Sequence, residues 1–223
     1  MIPFYNEEKR IGAVLSQVIK VKNLLEVIAV GDGSNDHGYE LVKNKFPQVK
    51  LVSLTQNLGK TGAVKKGVDL AKGDYILLLD ADLLGVKKEE LEYLVGIIFQ
   101  RPSIDMIILK RTHTPLGSRL VRSDLIFSGE RILKKVDLEK ILSFPITKYQ
   151  LEIATNKYMK DKNKFVYWYQ CSTKNTPKAE KIGFLRGYYD ELKMKVNVIS
   201  YDWQSYFWQI LFFCRKQLSN QQE

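Results

Sequence analysis

The feature that most constrains this chain is an alternation of two patterns through its first 110 residues. Short apolar runs recur at 24–30, 49–54, 75–80 and 104–109, each the length of a strand buried on both faces. Between them, 7–20, 36–46, 60–72 and 87–99 carry apolar residues at helical spacing. In the first of these, Ile11, Val14, Leu15, Val18 and Ile19 share one face, and Asn6 stands where an N-cap belongs. Strands alternating with helices in this way pair in parallel, with helices on both faces of the sheet. The expected fold is therefore α/β, with a mostly parallel central sheet flanked by helices. Ligands in such sheets bind beyond the carboxyl ends of the strands.

Beyond Lys110 the alternation stops. Residues 111–129 are polar and basic, followed by a predicted helix over about 147–161 and an aromatic strand at Phe165–Tyr169. A Lys/Pro loop at 172–181 and a long aromatic-rich helical tail complete the chain. The first strand has room only for Met1 to Phe4, short of the usual five or six residues, which predicts further apolar residues upstream.

Composition narrows the function classes. Hydrophobic residues make up 45% and charged residues 27%, which excludes a disordered chain. Cys171 and Cys214 are too few and too far apart for a disulfide framework or a zinc site, and they fit a reducing compartment. No signal-peptide pattern follows Met1, and the apolar stretch Trp203–Cys214 is too short to cross a bilayer. The expected location is cytoplasmic, with peripheral attachment at the inner face of a membrane as the variant. A net charge of +10 points to an anionic partner: nucleic acid, an anionic membrane or a phosphorylated substrate.

Three motifs sit at predicted strand ends. Asp80-Ala81-Asp82 follows the apolar run from Tyr75, and alternation places its two carboxylates on one side. Paired acids at a sheet's carboxyl edge make a hard oxygen site suited to Mg²⁺ or Mn²⁺ carrying a diphosphate. Without that metal, such an edge repels phosphate, so nucleic acid is not the expected partner. Gly31-Asp32-Gly33-Ser34 looks like a dinucleotide fingerprint, but glycines at 31, 33 and 38 have the wrong spacing. An acid in that turn suits an N–H of a base better than a pyrophosphate. Asn57-Leu58-Gly59-Lys60-Thr61 fails as a P-loop, because the required earlier glycine is Leu54. It leaves a glycine-flexible loop with a lysine that can reach a ligand phosphate.

Taken in order, Ile2-Pro3-Phe4-Tyr5-Asn6-Glu7-Glu8, Gly31-Asp32-Gly33-Ser34, Asn57-Leu58-Gly59-Lys60 and Leu79-Asp80-Ala81-Asp82-Leu83 resemble the family 2 glycosyltransferases. That family has the Rossmann-like GT-A fold and binds nucleotide-sugars. The resemblance implies a nucleotide-sugar-binding part over 1–110, an acceptor-side part over 111–181 and a helical extension over 182–223. It implies that Pro3, Tyr5 and Glu7 line the nucleoside pocket, Asp32 bonds the base and Lys60 lies near the nucleotide. Asp80 would face the ribose or the metal, and Asp82 would coordinate the metal. Two positions depart from the family pattern: Gly31 stands where an acid is usual, and Leu84 stands where users of lipid-phosphate acceptors often carry glutamine.

The implied activity is a metal-dependent, inverting, hexosyltransferase-like transfer from a UDP- or GDP-sugar to a polyprenyl-phosphate or saccharide acceptor. A hydroxyl acceptor needs a general base; Glu152 is favoured over Glu130 and Asp124. A phosphate acceptor needs none, and Arg119, Arg122 and Arg131 are candidates to clamp it, with Lys178 and Lys181 behind them. The predicted catalytic set is Asp82, Glu152 and Arg131, and His113 is a candidate third metal contact. The rivals are a silent nucleotide-sugar-binding scaffold and a nucleotidyltransferase, although Pro3–Glu8 lacks the glycine- and arginine-rich phosphate loop of the latter. For the aromatic tail, 201–216, two placements fit: a membrane surface, or packing on the body or a second subunit.

Overall fold

The computed structural model describes residues 1–112, 122–147, 150–175 and 203–218. Its strands are β1 (Ile2–Phe4), β2 (Ile28–Asp32), β3 (Lys50–Leu54), β4 (Tyr75–Leu78), β5 (Leu83–Leu84), β6 (Met106–Lys110), β7 (Arg131–Lys134), β8 (Val166–Gln170), β9 (Lys174–Asn175) and β10 (Lys216–Gln217). The helices are α1 (Ile11–Val18), α2 (Gly38–Lys45), α3 (Gly59–Leu70), α4 (Lys88–Gln100), the single turn α5 (Ser123–Ile126), α6 (Lys135–Leu142), α7 (Leu151–Asp161) and α8 (Trp203–Phe212).

β1, β2 and β3 pair in parallel. A second sheet runs β10-β8-β6-β7-β4, parallel except for β7, which is antiparallel to both neighbours. Met1 joins the two: its nitrogen donates to the Leu77 carbonyl at 2.7 Å, and its carbonyl accepts from Leu79 at 3.1 Å. β1 therefore lies alongside β4, and the layers form one surface in the order β3-β2-β1-β4-β7-β6-β8-β10. The short ribbon β5–β9 stands apart, tying the segment after Asp82 to Lys174 and Asn175.

Strand alternation divides the core into two faces. Ile107 and Leu109 pack with the α1 and α4 residues Leu15, Leu94 and Ile98. Met106 and Ile108 pack on the other side with Val64, Leu138 and Met159 from α3, α6 and α7. Each such aliphatic side chain, fully buried, contributes roughly 1.5–3 kcal/mol. At the end of β6 the same alternation sends Lys110 and Arg111 to opposite faces: Lys110 lies 3.3 Å from Asp124, and Arg111 reaches Glu130.

Several local expectations shift. Asn6 does not cap α1, which begins at Ile11; it adopts a left-handed φ of 54°, and its side-chain oxygen accepts from the Asn35 amide at 2.8 Å. β2 runs from Ile28 to Asp32 rather than over 24–30, because Gly31 and Asp32 continue the pairing with β3. The tail is not wholly helical: after α8 the chain returns to the sheet edge as β10, beside β8.

Candidate active site

Several strand ends converge on one cluster of charges. Lys60 is the second residue of α3, just after β3. Asp80 lies two residues past β4, and Arg111 one past β6. Glu130 immediately precedes β7, which runs antiparallel and so begins where its neighbours end. Glu152 comes from the first turn of α7.

Lys60 Nζ lies 2.6 Å from Asp80 Oδ1 and 2.9 Å from Glu152 Oε1. Arg111 Nε donates to Glu130 Oε2 at 2.7 Å, and its Nη2 lies 3.8 Å from Asp80 Oδ2. The Ser128 hydroxyl is 2.8 Å from Glu130 Oε2 and 2.6 Å from the Leu109 carbonyl. Gly129 permits this closeness: a Cβ there would stand 2.9 Å from both Asp80 carboxylate oxygens and collide with Lys60 Nζ. Asp82 lies across the buried Ala81, partly exposed like Asp80, and near enough to Arg111 to favour its charge.

The electrostatics follow from burial opposed by pairing. Burial raises the Asp80 carboxyl, but Lys60 and Arg111 outweigh it and hold the group down at about 2. Burial lowers Lys60, but Asp80 and Glu152 outweigh it and keep the ammonium charged. Glu130 goes the other way: burial pushes it up, Arg111 opposes that and the nearby Asp80 adds to it. Among the described residues, Glu130 Oε1 has no hydrogen-bond partner.

Four carboxylates, on Asp80, Asp82, Glu130 and Glu152, thus share two cations, Lys60 and Arg111. Such a surplus of negative charge suits a divalent cation ahead of a diphosphate. Among the described residues no three His, Cys, Asp or Glu form a metal-holding group. A divalent ion would draw on one or two carboxylates and take its other ligands from phosphate and water, as Mg²⁺ commonly does.

Beside this cluster lie the first two motifs. Asp32 is buried, and its Oδ1 accepts from the Leu58 amide at 2.7 Å, which fixes the turn leading to Lys60. Gly33 has φ +66°, and a Cβ there would lie 2.7 Å from the Asn57 nitrogen, so the two loops touch only because this residue is glycine. Gly31 also has a structural cause: a Cβ would stand 2.9 Å from the Phe4 ring. Pro3 is half-buried in β1, Tyr5 is exposed beyond it, and Glu7 pairs with Arg10 at 3.2 Å. The loop after β1 is zipped to the loop after β2 where Asp36 accepts from the Glu8 amide at 2.8 Å.

The structure separates the arginines that the sequence grouped. Arg131 is not aimed at the site: it is 2% exposed, and its donors go to the carbonyls of Ser128, Ile126 and Glu152 and to Asn156 Oδ1. With four of its five donors taken and the group enclosed, this guanidinium braces backbone and is closed off from a phosphate, so its expected clamping role is corrected to a positioning one. Arg122 donates to the Ile210 and Cys214 carbonyls at the end of α8. Arg119, His113, Lys178, Lys181 and Tyr201 lie outside the described residues. Glu152, by contrast, is no solvated helix-face acid but is drawn in against Lys60. Sequence reasoning passed over Arg111 as a site residue; its place directly after a strand end, on the face opposite Lys110, was the available signal.

An apolar cavity of about 220 Å³, lined by residues such as Leu24, Ile28, Leu77 and Ile98, lies at the amino ends of β2 and β4, at the far end of the sheet from these carboxylates. Its lining includes Glu26, Asp74 and Met1, but it does not hold the mixed cluster of lysine, arginine and carboxylates found at the opposite edge.

The profile of glycosyl transferase family 2 matches residues 1–154. The chain belongs to this family. It is 31% identical over 141 residues to a dolichyl-phosphate beta-glucosyltransferase of Trichomonas vaginalis, a match covering 56% of this chain and 41% of that protein. It is 39% identical over 97 residues to an undecaprenyl-phosphate 4-deoxy-4-formamido-L-arabinose transferase of Aeromonas hydrophila, covering 40% of this chain and 30% of that one. The matches span less than half the length of these relatives. Among solved structures, glucosyl-3-phosphoglycerate synthase from Mycobacterium tuberculosis superposes with a TM-score of 0.73 at 19% identity, over 92% of this chain and 77% of that one. That likeness shows the fold, and it bears out the expectation of a GT-A-type α/β architecture.

Proposed function

We propose that the chain is an inverting glycosyltransferase that moves a sugar from a nucleoside diphosphate-sugar to a polyprenyl-phosphate acceptor, with a divalent metal at Asp80 and Asp82. The observation that carries this reading is the Lys60–Asp80–Glu152 and Arg111–Glu130 cluster at the carboxyl edge of a family 2 sheet. The acceptor class follows the relatives, which are named for dolichyl-phosphate and undecaprenyl-phosphate transfer. The donor class follows the structural neighbour, whose complex holds Mn²⁺ and uridine diphosphate.

Each residue then has a defined task. Pro3, Tyr5 and Glu7 form one wall of the nucleoside site, and Asp32 shapes its floor through Leu58. Asp82, with Asp80, would hold Mg²⁺ or Mn²⁺, which supplies charge neutralisation for a departing nucleoside diphosphate. Lys60 and Arg111 keep the Asp80 carboxylate ionised and present positive charge to the same leaving group. The acceptor oxygen's lone pair forms the new bond at the anomeric carbon, while the old C–O pair leaves with the diphosphate. An acceptor phosphate is already ionised and needs no base, which suits a Glu152 carboxylate occupied by Lys60. With a hydroxyl acceptor, Glu152 would have to release Lys60 to take the proton. The membrane-side location of such an acceptor fits a peripheral protein; among the described residues no helix is long and apolar enough to cross a membrane.

The test is release of nucleoside diphosphate from a panel of UDP- and GDP-sugars, with and without Mn²⁺ and a short polyprenyl phosphate. Release from one donor that needs both additions, and that is lost in Asp82→Ala, is expected. Neither turnover nor metal-dependent nucleotide binding with any donor would overturn the reading and favour a silent scaffold.

A further inference from the structure

Helix α8 departs from an ordinary surface helix in keeping large aromatic side chains on its solvent side. Its inward side carries Gln209, fully enclosed, whose Oε1 accepts from Asn156 Nδ2 at 2.8 Å and whose Nε2 reaches the Ile153 carbonyl. The Tyr206 and Phe127 rings stack beside it at 5.8 Å, and Phe213, just past the helix, is buried with them. These contacts fix which side of the helix faces α7. The outward side carries large apolar groups as well: Trp203, Phe207, Leu211 and Phe212 are each more than half exposed, with the exposed Gln204 among them. At 100° per residue, these four and the partly exposed Trp208 fall within one half of the helix circumference.

Cations border that face. Lys160 of α7 places its Nζ 4.3 Å from the centre of the Trp208 ring, and Arg215 and Lys216 are exposed just past the helix. At the same end a pocket of about 260 Å³ is lined by Lys110, Arg122, Arg215 and Trp168, with Asp124 the single acid. Large aromatics flanked by lysine and arginine match the two zones of a lipid surface, with apolar bulk at the acyl boundary and cations among the phosphates. A second copy fits less well. A self-complementary contact would pair this face with itself, and its bordering residues Lys160, Arg215 and Lys216 bring positive charge with no matching acid of their own among the described residues.

We propose that the outward face of α8 lies flat on a membrane whose phospholipid headgroups are anionic, with Trp203, Phe207 and Leu211 buried at the headgroup boundary and Arg215 and Lys216 on headgroup phosphates. This holds whatever the donor or acceptor of the active site, because no residue of the charged cluster takes part.

The experiment is co-sedimentation of the full chain with vesicles of phosphatidylcholine alone and of phosphatidylcholine mixed with phosphatidylglycerol, at low and high salt. The wild type is expected to bind the mixed vesicles, and to bind less in high salt. Trp203→Ser/Phe207→Ser/Leu211→Ser is expected to bind about tenfold or more weakly with an unchanged far-UV circular dichroism spectrum. Arg215→Gln/Lys216→Gln, at exposed positions, provides the test should the triple variant misfold. It is expected to lose about tenfold or more on mixed vesicles and little on neutral ones, at about 1 kcal/mol for each cation near the surface. Absence of wild-type binding to mixed vesicles, or equal binding by a folded triple variant, would overturn the proposal. So would a wild-type dimer without vesicle binding that the triple variant abolishes, which would give the face to a second copy.

Discussion

Two arginines at the same end of the sheet do opposite things. Arg111 faces carboxylates: burial alone would lower its pKa, but Glu130 and Asp80 outweigh burial, so the group stays firmly charged beside Asp80. Arg131 faces mainly neutral acceptors, and burial brings it down to about 10, with Glu152 only partly compensating. One guanidinium is part of a charge cluster open to ligand, and the other holds three backbone carbonyls and Asn156 in place. The lesson is that an arginine's role is set by what its fork meets, and neighbouring motif residues can meet entirely different partners.

The comparison breaks most visibly at Arg131. Arg131→Met would leave those acceptors buried without donors, and a loss of about 3–5 kcal/mol is expected from urea unfolding, with activity falling only as folding does. Asp82→Asn should do the reverse, lowering transfer about 100-fold or more while the urea midpoint barely moves. Equal damage to stability from both variants would erase the distinction between the two groups.

Lys60→Met tests the cluster through pH. With Asp80 held near 2 in the folded state against an ordinary value of 3.8, its contribution is complete above about pH 4 and is lost as the pH falls toward 2. In Lys60→Met the folded-state value rises, so the acid loss of stability should begin at higher pH and the contribution at pH 5 should shrink by about 1–2 kcal/mol. Urea midpoints at pH 5, 4 and 3, in the absence of metal, would show it. Unchanged acid behaviour would mean that Lys60 does not govern Asp80.

Gly129→Ala sharpens the picture with a smaller effect. The added methyl pushes Lys60 off Asp80, and a fall of about tenfold in transfer is expected with under about 1 kcal/mol of lost stability, since a flexible lysine end can move aside. Smallest is a labelling effect on the core side. Burial pushes the Cys214 thiol up to about 12, against the opposing pull of Arg122 and Arg131, and burial raises Cys171 as well. Neither thiol should react with a disulfide reagent at pH 8 until urea is added. Rapid native labelling of Cys214 would show that the region around Arg131 is not sealed.

Much of this was legible in the residues. The β-α-β-α alternation, the strand ends carrying Asp32 and Asp80, and the failure of Lys60 as a P-loop lysine are consequences of local pattern. Asp80 and Asp82 stood out because alternation sets both carboxylates on one side of a strand end and three other motifs stand in order around them. The role of Glu152 was less readable, since a helix-face glutamate looks the same whether it meets water or Lys60. Arg131 was misassigned for the same reason: the chain records that it is basic and follows Glu130, but not that β7 turns it inward.

The sequence by itself determined the element types, the parallel order of the first strands and the edge at which chemistry would gather. Hydrophobic periodicity and strand–helix alternation act over a few residues and need no distant partner. Only the tertiary structure decided that Lys60, Asp80, Arg111, Glu130 and Glu152 form one cluster, that Phe4 excludes a side chain at position 31, and that α8 turns Gln209 in and Trp203 out. Those outcomes depend on groups far apart in the chain competing for the same buried space and the same charges, and no local pattern records which of them wins.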